Sequence, residues 1–244
     1  AGAAIEAALR QTEVEIDRLA VDTHGYTDFA MALAKLLGFA LCPRLAHVAD
    51  RKLYIPSSMK DVDAALADVA QPIVSLRLIE QEWDNLVRIA ASVETGHTMA
   101  TVALARFGSA ASDSATYRAG VHLGRLIRSI YLCDYLLSEE LRRLVNRILV
   151  HGEALHQLQR AIYTGTFSKP RGQHLEDLYA TSGALTLMLN LCLAWTTNKM
   201  QEHLLGDRAY LTEDEVSWLE GTSPAHPGNI NFRGAVVVNK DVNE

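Results

Sequence analysis

Two acidic residues, Asp22 and Glu153, stand where a carboxylate could hold a metal ion. Asp22 opens the segment 22–28 and directly follows the apolar segment 16–21, which has the pattern of a short strand. Ligands and metals collect at the carboxyl ends of strands in open α/β sheets, so the position favours a functional acid. An isolated Asp there is more often only a turn-forming residue. The second acid makes the functional interpretation worth pursuing.

Glu153 lies in a predicted helix over residues 138–163, which begins at the N-cap candidate Ser138. The preceding residue is Gly152, which costs about 1 kcal/mol against alanine in a helix interior. Close approach of a strand, a metal or a DNA backbone would explain it, and so would tight helix-to-sheet packing. Arg160 follows Glu153 by nearly two helical turns, so we expect both side chains on one face, where Arg160 could contact a phosphate.

Two other kinds of catalytic site do not fit the sequence. The histidines His151 and His156 are five residues apart, about 140° round a helix, whereas a zinc-protease helix needs them four apart on one face. No Gly-x-Ser-x-Gly nucleophile elbow occurs in the chain. The sequence therefore gives no support to a zinc protease or a serine hydrolase.

The pattern of elements predicts a predominantly helical α/β protein. The first part is β-α-β-like, with strands at 16–21, 39–43 and 52–56, and a helix at 28–37 between an N-cap at Thr27 and a C-cap at Gly38. From Met59 onward the pattern is almost entirely helical, with helices predicted at 61–69, 74–94, 98–107 and 116–137. Residues 108–112 are predicted to form a loop. The segment 59–137 has the character of an insertion between two α/β pieces.

Composition limits the partners and the compartment. The 244 residues carry a net charge of −6, so DNA contact must come from local patches and not from a global basic field. The three cysteines, Cys42, Cys133 and Cys192, lack metal-binding spacing, and we expect reduced, buried thiols. The most apolar segment, 184–195, is too short to span a bilayer, so we expect no membrane partner.

Several motifs, in the same order along the chain, closely resemble the catalytic region of replicative, cointegrate-forming transposases of the Tn3 family. They extend from the Asp22 segment to the segment around Phe232, so the resemblance covers nearly the whole chain. The residues that carry it are 22–28, 36–39, 42–45, 106–109, 132–135, 151–153, 158–162, 194–195, 199–201 and 230–234.

The resemblance implies a ribonuclease-H-like core with an Asp-Asp-Glu triad interrupted by an all-helical insertion. It places the second catalytic Asp at Asp22 and the Glu at Glu153, both as ligands of Mg²⁺ or Mn²⁺. The chain would then divide into a partial core over 1–58, the insertion over 59–137, the rest of the core over 138–205 and a tail over 206–244. The implied reaction is Mg²⁺-dependent 3′-end cleavage and strand transfer.

The resemblance also implies the partners. These are transposon-end inverted-repeat DNA and target DNA, with a homodimer in the full-length protein and a bacterial, nucleoid-associated location in the cytoplasm. We take Arg160, His24, Arg147 and Lys199 as candidates for contact with DNA. The alternatives are a turn-stabilising role for His24 and plain solvated helix charges for Arg147 and Lys199.

The family's first catalytic Asp lies on an earlier strand, and the only Asp before Asp22 is Asp17, within the predicted strand itself. We therefore expect this chain to be a C-terminal fragment that is inactive alone. Two alternatives remain open. One is a non-catalytic remnant that acts only as a folded or dimerising module, and the other is a metal-dependent nuclease that cuts without joining.

Overall fold

The computed structural model describes residues 1–59, 61–109, 114–164, 174–207, 211–220, 222–226 and 228. The chain forms two compact units, Ala1–Leu149 and Val150–Glu244. Short parallel strand pairs accompany long helices, so the predicted predominantly helical α/β class is confirmed. The predicted tail over 206–244, including the motif at 230–234, lies largely outside the described residues.

The first unit contains a β-α-β arrangement that matches the sequence prediction. Strands β1 (Arg18–Val21) and β2 (Ala40–Pro43) pair in parallel, with helix α2 (Asp28–Leu36) between them in the chain. The helix begins because the Thr27 Oγ1 accepts the Ala30 backbone N–H at 3.2 Å. It ends before Gly38, whose φ of +94° is readily adopted only by a residue without a Cβ.

A second parallel pair was only half predicted. Strand β3 (Leu53–Pro56) confirms the prediction at 52–56, but its partner β4 (Ala70–Val74) was missed. The predicted helix at 61–69 is wrong, because the only helical turn there is the 3-10 turn Ala64–Leu66 within the described residues. The Asp63 side chain accepts the Ala65 N–H at 2.8 Å and so starts this short turn.

The remaining predicted helices are observed, but one of them is divided into two helices. The 74–94 segment is two helices, because the chain breaks at Glu82. Residues 108 and 109 extend a helix where a loop was predicted, and 110–112 lie outside the described residues. The helices not yet given are α1 (Gly2–Arg10), α3 (Leu76–Gln81), α4 (Trp83–Glu94), α5 (Ala100–Ser109), α6 (Ala115–Leu137), α7 (Glu139–Thr164), α8 (Leu175–Asp207) and α9 (Glu213–Glu220).

The core of the first unit is centred on α2 and its contact with α6. The α2 segment from Phe29 to Ala34 is buried throughout. Two glycines of α6 allow this close packing: a Cβ on Gly120 would overlap the Phe29 ring, and one on Gly124 would overlap the Asp28 carbonyl. Helix α6, which belongs to the predicted insertion, thus packs directly on the helix that follows Asp22.

Helix α8 in the second unit exposes an unusual amount of apolar surface. Tyr179, Leu187, Leu191 and Trp195 are each between 55% and 69% exposed. Each step of four residues advances about 40° round a helix, so these side chains wind from one side of α8 to nearly the opposite side. By length and composition alone, Glu176–Leu204 could cross a membrane, in contrast to the short apolar segment expected from the sequence. One such helix is weak evidence for a membrane location.

The cysteines partly depart from expectation. Cys42 is buried, and burial raises the pKa of its thiol, but Cys133 is exposed and Cys192 is half-buried. The expectation of three buried thiols is therefore confirmed only for Cys42, and it is wrong for the exposed Cys133. Its neighbour Leu132 is buried, so this part of α6 turns one face to the core and another to solvent.

Candidate active site

Asp22 lies on a tight turn at the carboxyl end of β1. The Gly25 N–H donates to the Asp22 carbonyl at 2.8 Å, and a Cβ at Gly25 would come within 3.1 Å of that carbonyl and of the Val21 Cβ. Thr27 then starts α2. The strand, the turn and the capped helix fix the backbone on both sides of Asp22, while its side chain is 63% exposed.

The Asp22 carboxylate has two partners that favour its charged form. Its Oδ1 accepts the Thr23 backbone N–H at 2.7 Å and the Arg44 Nη2 at 3.1 Å. The Thr23 hydrogen bond is the largest cause that lowers the Asp22 pKa, and the charges of Arg44 and His24 add to it, against a smaller opposing effect of desolvation. Within the described residues Oδ2 accepts no hydrogen bond, so an ionised oxygen remains open to a cation.

Sequence reasoning missed the role of Arg44, although a signal was present. Arg44 directly follows Pro43, the last residue of β2, and Val21 pairs with Pro43 in the parallel register. The carboxyl ends of parallel neighbours meet at one edge, so the residues that follow them are neighbours too. A basic residue just after the second predicted strand was therefore a candidate partner of Asp22.

Glu153 borders a groove between α7 and α8 in the second unit. The Arg160 Nη2 donates to the Glu153 Oε1 at 3.0 Å, which confirms that the two residues share a helix face. The groove encloses about 390 Å³. It is lined from α7 by Glu153, His156, Gln159 and Arg160, and from α8 by Leu178, Thr181, Ser182 and Leu185. With a 58% exposed side chain, Glu153 remains accessible.

The other predicted DNA-contact residues are all exposed, in different settings. His24 lies in the Asp22 turn and contributes a minor electrostatic effect on that carboxylate. Arg147 lines a shallow groove with Glu139, Glu140 and Arg143. Lys199 on α8 pairs with Glu202 at 2.6 Å, as a solvated helix charge does. Their contact with DNA stays a prediction.

The residues present fit a hard divalent cation in donor chemistry, since Mg²⁺ and Mn²⁺ take carboxylate oxygens. Among the described residues, no group of three or more His, Cys, Asp or Glu side chains is placed to hold a metal ion. Asp22 and Glu153 belong to separate compact units. Their predicted approach to a shared metal site stays a prediction.

Comparison with known proteins identifies the family of this chain. The family profile described as the Tn3 transposase DDE domain matches residues 1–235. The chain is 46% identical over 236 residues to the transposase for insertion sequence element IS1071 in transposon Tn5271 of Comamonas testosteroni, covering 96% of this chain and 24% of that protein.

Two further relatives show the same coverage. The transposase for transposon Tn21 of Escherichia coli is 30% identical over 92% of this chain and 23% of its own length. The transposase for transposon Tn501 of Pseudomonas aeruginosa is 29% identical over 93% of this chain and 23% of its own length. The chain thus spans about a quarter of these relatives. No solved structure matches it. The chain belongs to the Tn3 transposase DDE domain family.

Proposed function

We propose that this chain carries the second Asp and the Glu of an Asp-Asp-Glu transposase centre, on part of a ribonuclease-H-like core. The supporting observation is the setting of Asp22. In a chain that matches the family over residues 1–235, this acid is exposed and ionised at the carboxyl end of a parallel strand pair. The first Asp of the triad would come from a part of the protein outside this chain.

The proposed reaction is DNA 3′-end cleavage followed by strand transfer. Both steps are in-line displacements at phosphorus, first by water and then by the freed 3′-hydroxyl. Bound Mg²⁺ would activate the attacking oxygen and stabilise the leaving one. Mn²⁺ takes the same oxygen ligands and could replace it.

The residues of this chain would hold the metal and keep its ligands charged. Thr23 and Arg44 fix one carboxylate oxygen of Asp22 and favour its anionic form. Arg160 orients Glu153 by its ion pair on the same helix face. A ligand on a strand end and a ligand on a helix are held more rigidly than two ligands on loops.

The proposed partners are transposon-end DNA and target DNA, with a homodimer of the full-length protein and an association with the nucleoid. Names of relatives support DNA as the substrate class, since all three are transposases. The isolated chain should show no cleavage or strand transfer with Mg²⁺. With one acid of the triad outside it, too few anionic oxygens offset the repulsion between two metal ions.

A chimera tests the proposal. The matching quarter of the Comamonas testosteroni transposase is replaced by this chain, and cointegrate formation is measured in cells that carry the ends of that element. We expect activity from the chimera and a fall to background in Asp22→Asn and in Glu153→Gln, because each removes one anionic ligand. The matched control is Glu139→Gln, whose carboxylate is exposed on α7 and pairs with Arg143.

Each contrary outcome points to a defined alternative. Full activity in Asp22→Asn or Glu153→Gln would overturn the assignment of that residue. Cleavage without joining would favour the metal-dependent nuclease. An inactive but folded chimera would favour the non-catalytic remnant.

A further inference from the structure

A small cavity with basic walls opens near the Asp22 turn, in the first unit. It encloses about 190 Å³. Its wall includes Tyr26 and Leu45, and these residues follow the carboxyl ends of β1 and β2 respectively. The cavity therefore lies at the same edge of the strand pair as Asp22. Its polar lining comes from Tyr26, Asp50, Arg51, Lys52, Tyr54 and Arg128.

Two of the cations in the wall have only neutral partners. Arg51 donates from Nε and Nη2 to the Ala46 carbonyl at 3.1 and 3.0 Å, and from Nη1 to the Tyr26 hydroxyl at 3.0 Å. Lys52 donates to the Asp68 carbonyl at 2.9 Å. Within the part of the chain that the structure describes, neither side chain pairs with a carboxylate. Their positive charges are positioned but not neutralised.

Arg128, in the cavity wall, and Arg125, three residues before it on α6, share one carboxylate. Arg125 and Arg128 approach Asp28 at 3.2 and 2.6 Å. Both guanidinium groups lie over the Tyr54 ring, at 5.4 and 4.6 Å from its centroid. The buried Ser129 hydroxyl accepts the Tyr54 N–H at 2.6 Å and ties β3 to α6.

The cluster carries a positive excess in a chain that is negative overall. The cavity wall holds Arg51, Lys52, Arg128 and one carboxylate, Asp50, while Arg125 shares Asp28 with Arg128. The group therefore has four cations and two carboxylates. The whole chain has a net charge of −6, so this excess is local. The Nε and Nη2 edge of Arg51 is already bonded to the Ala46 carbonyl, so Arg51 and Lys52 act here as fixed positive charges that attract a phosphate.

We propose that this cavity binds a backbone phosphate of DNA beside the Asp22 edge, an inference that rests on the proposed function. Pockets for whole cofactors or drug-sized ligands occupy roughly 300–1,000 Å³, so this cavity suits a single anionic group of a longer molecule. A DNA strand that reaches the proposed metal site must also cross this edge, and each of its phosphates is negative. The bound phosphate would position the strand without reading its sequence.

The test is an NMR titration of the isotope-labelled chain with a DNA duplex of about 12 base pairs, repeated at several salt concentrations. Binding is monitored through the backbone amide signals of Arg51, Lys52 and Tyr54. The central variant is Lys52→Gln, because this exposed lysine donates only to a backbone carbonyl. Its matched control is Lys35→Gln, which changes another exposed lysine, near the end of α2. Thermal unfolding checks that both variants stay folded.

The log of the DNA affinity falls linearly with the log of the salt concentration, and each phosphate contact contributes about 0.9 to the steepness of that fall. Loss of one contact should therefore reduce the steepness by about 0.9 and weaken binding about eightfold at roughly 0.1 M salt. We expect this change for Lys52→Gln and none for Lys35→Gln. A second pair separates charge from packing: Arg51→Gln should weaken binding while Arg51→Lys, which keeps the positive charge, should retain most of it.

Three outcomes would overturn the subsite. They are equal affinity and slope in Lys52→Gln and wild type, no signal change with the duplex at low salt, or equal weakening by Arg51→Lys and Arg51→Gln. A change in the amide signals of Arg51, Lys52 and Tyr54 on titration with an acidic peptide, together with no response to the duplex, would also overturn it, in favour of a protein partner. Cointegrate formation by the unmodified chimera tests the proposed function separately, so either proposal can fail while the other stands.

Discussion

At the scale of single residues, the charge of Asp22 is set by its immediate neighbours. Its pKa lies below the ordinary 3.8 because the Thr23 N–H and then Arg44 favour the anion. A carboxyl group whose pKa is lower in the folded than in the unfolded chain stabilises the folded state at pH values above its ordinary pKa. That stabilisation is lost as the pH falls through the lowered pKa of the folded state. At neutral pH the carboxylate is fully ionised, so protons do not compete with a metal ion there.

Replacing Arg44 should therefore raise the Asp22 pKa only in part. In Arg44→Leu we expect a value closer to 3.8 but still below it, since the larger contribution from Thr23 remains. A pH titration of the Asp22 carboxyl carbon by NMR measures this shift. Arg10→Leu, which removes an exposed arginine paired with Glu6, should leave the titration unchanged. An unchanged Asp22 pKa in Arg44→Leu would show that the ion pair does not form in solution.

Gly152 offers a second test at this scale. No described atom lies within 4 Å of a Cβ built at Gly152, so the tight helix-to-sheet packing considered from the sequence is not observed there. Gly152→Ala should therefore raise the free energy of unfolding by about 1 kcal/mol through helix propensity alone. In the chimera it should lower cointegrate formation, if DNA or the metal comes close to this backbone.

The control for the stability effect is Gly183→Ala, at another open glycine inside a helix. A stabilised Gly152→Ala chimera with full activity would contradict a close approach of DNA or metal. A destabilised one would instead show that Gly152 packs against something in solution.

Local chemistry made several of these residues predictable. Thr27 and Ser138 cap helices as expected, and the spacing of Glu153 and Arg160 correctly predicted their shared face. The Arg44 contact with Asp22 joins residues 22 positions apart, and it follows from strand register. Register is a tertiary property, which a search for local motifs does not detect.

At the scale of elements, the crossing of α2 and α6 has no room for added atoms. Gly124→Ala places a Cβ on the Asp28 backbone, which cannot rotate away as a side chain can. We expect a loss of about 1–3 kcal/mol in the free energy of unfolding, the usual cost of overpacking, or more if α2 is displaced. Denaturant unfolding measures it, with Gly183→Ala as the control. An unchanged midpoint would mean that the two helices are farther apart in solution.

The missed strand shows where hydrophobic periodicity fails. In β4, Val74 is buried while Ile73 is exposed, and Pro72 lies within the strand. Such a segment is held by backbone pairing with β3, which side-chain patterns do not encode. The long helices α6 and α7 were predictable because a 3.6-residue period over many turns is a strong signal.

At the scale of the whole molecule, the predicted insertion and the core share a packing interface. Deleting residues 59–137 with a short bridging linker would remove α6 from α2 and expose the buried segment from Phe29 to Ala34. We expect this variant to lose cooperative unfolding, as measured by heat or denaturant. Truncation to Ala1–Leu149 is the control, because it retains the whole first compact unit.

Cooperative unfolding of the deletion variant would contradict this prediction and show that the strand pair and α2 form a core without α6. The same deletion tests whether residues 59–137 form an insertion that can be separated from the predicted partial core over 1–58.

The exposed apolar side chains of α8 also determine how this chain must be handled in the laboratory. Four large apolar side chains of this helix, Tyr179, Leu187, Leu191 and Trp195, are more than half exposed to water. Exposed apolar patches of this kind drive precipitation when a protein is concentrated. Because hydrophobic attraction weakens on cooling, purification of the chain should be most successful in dilute, cold solution, and warming a concentrated sample should make it turbid.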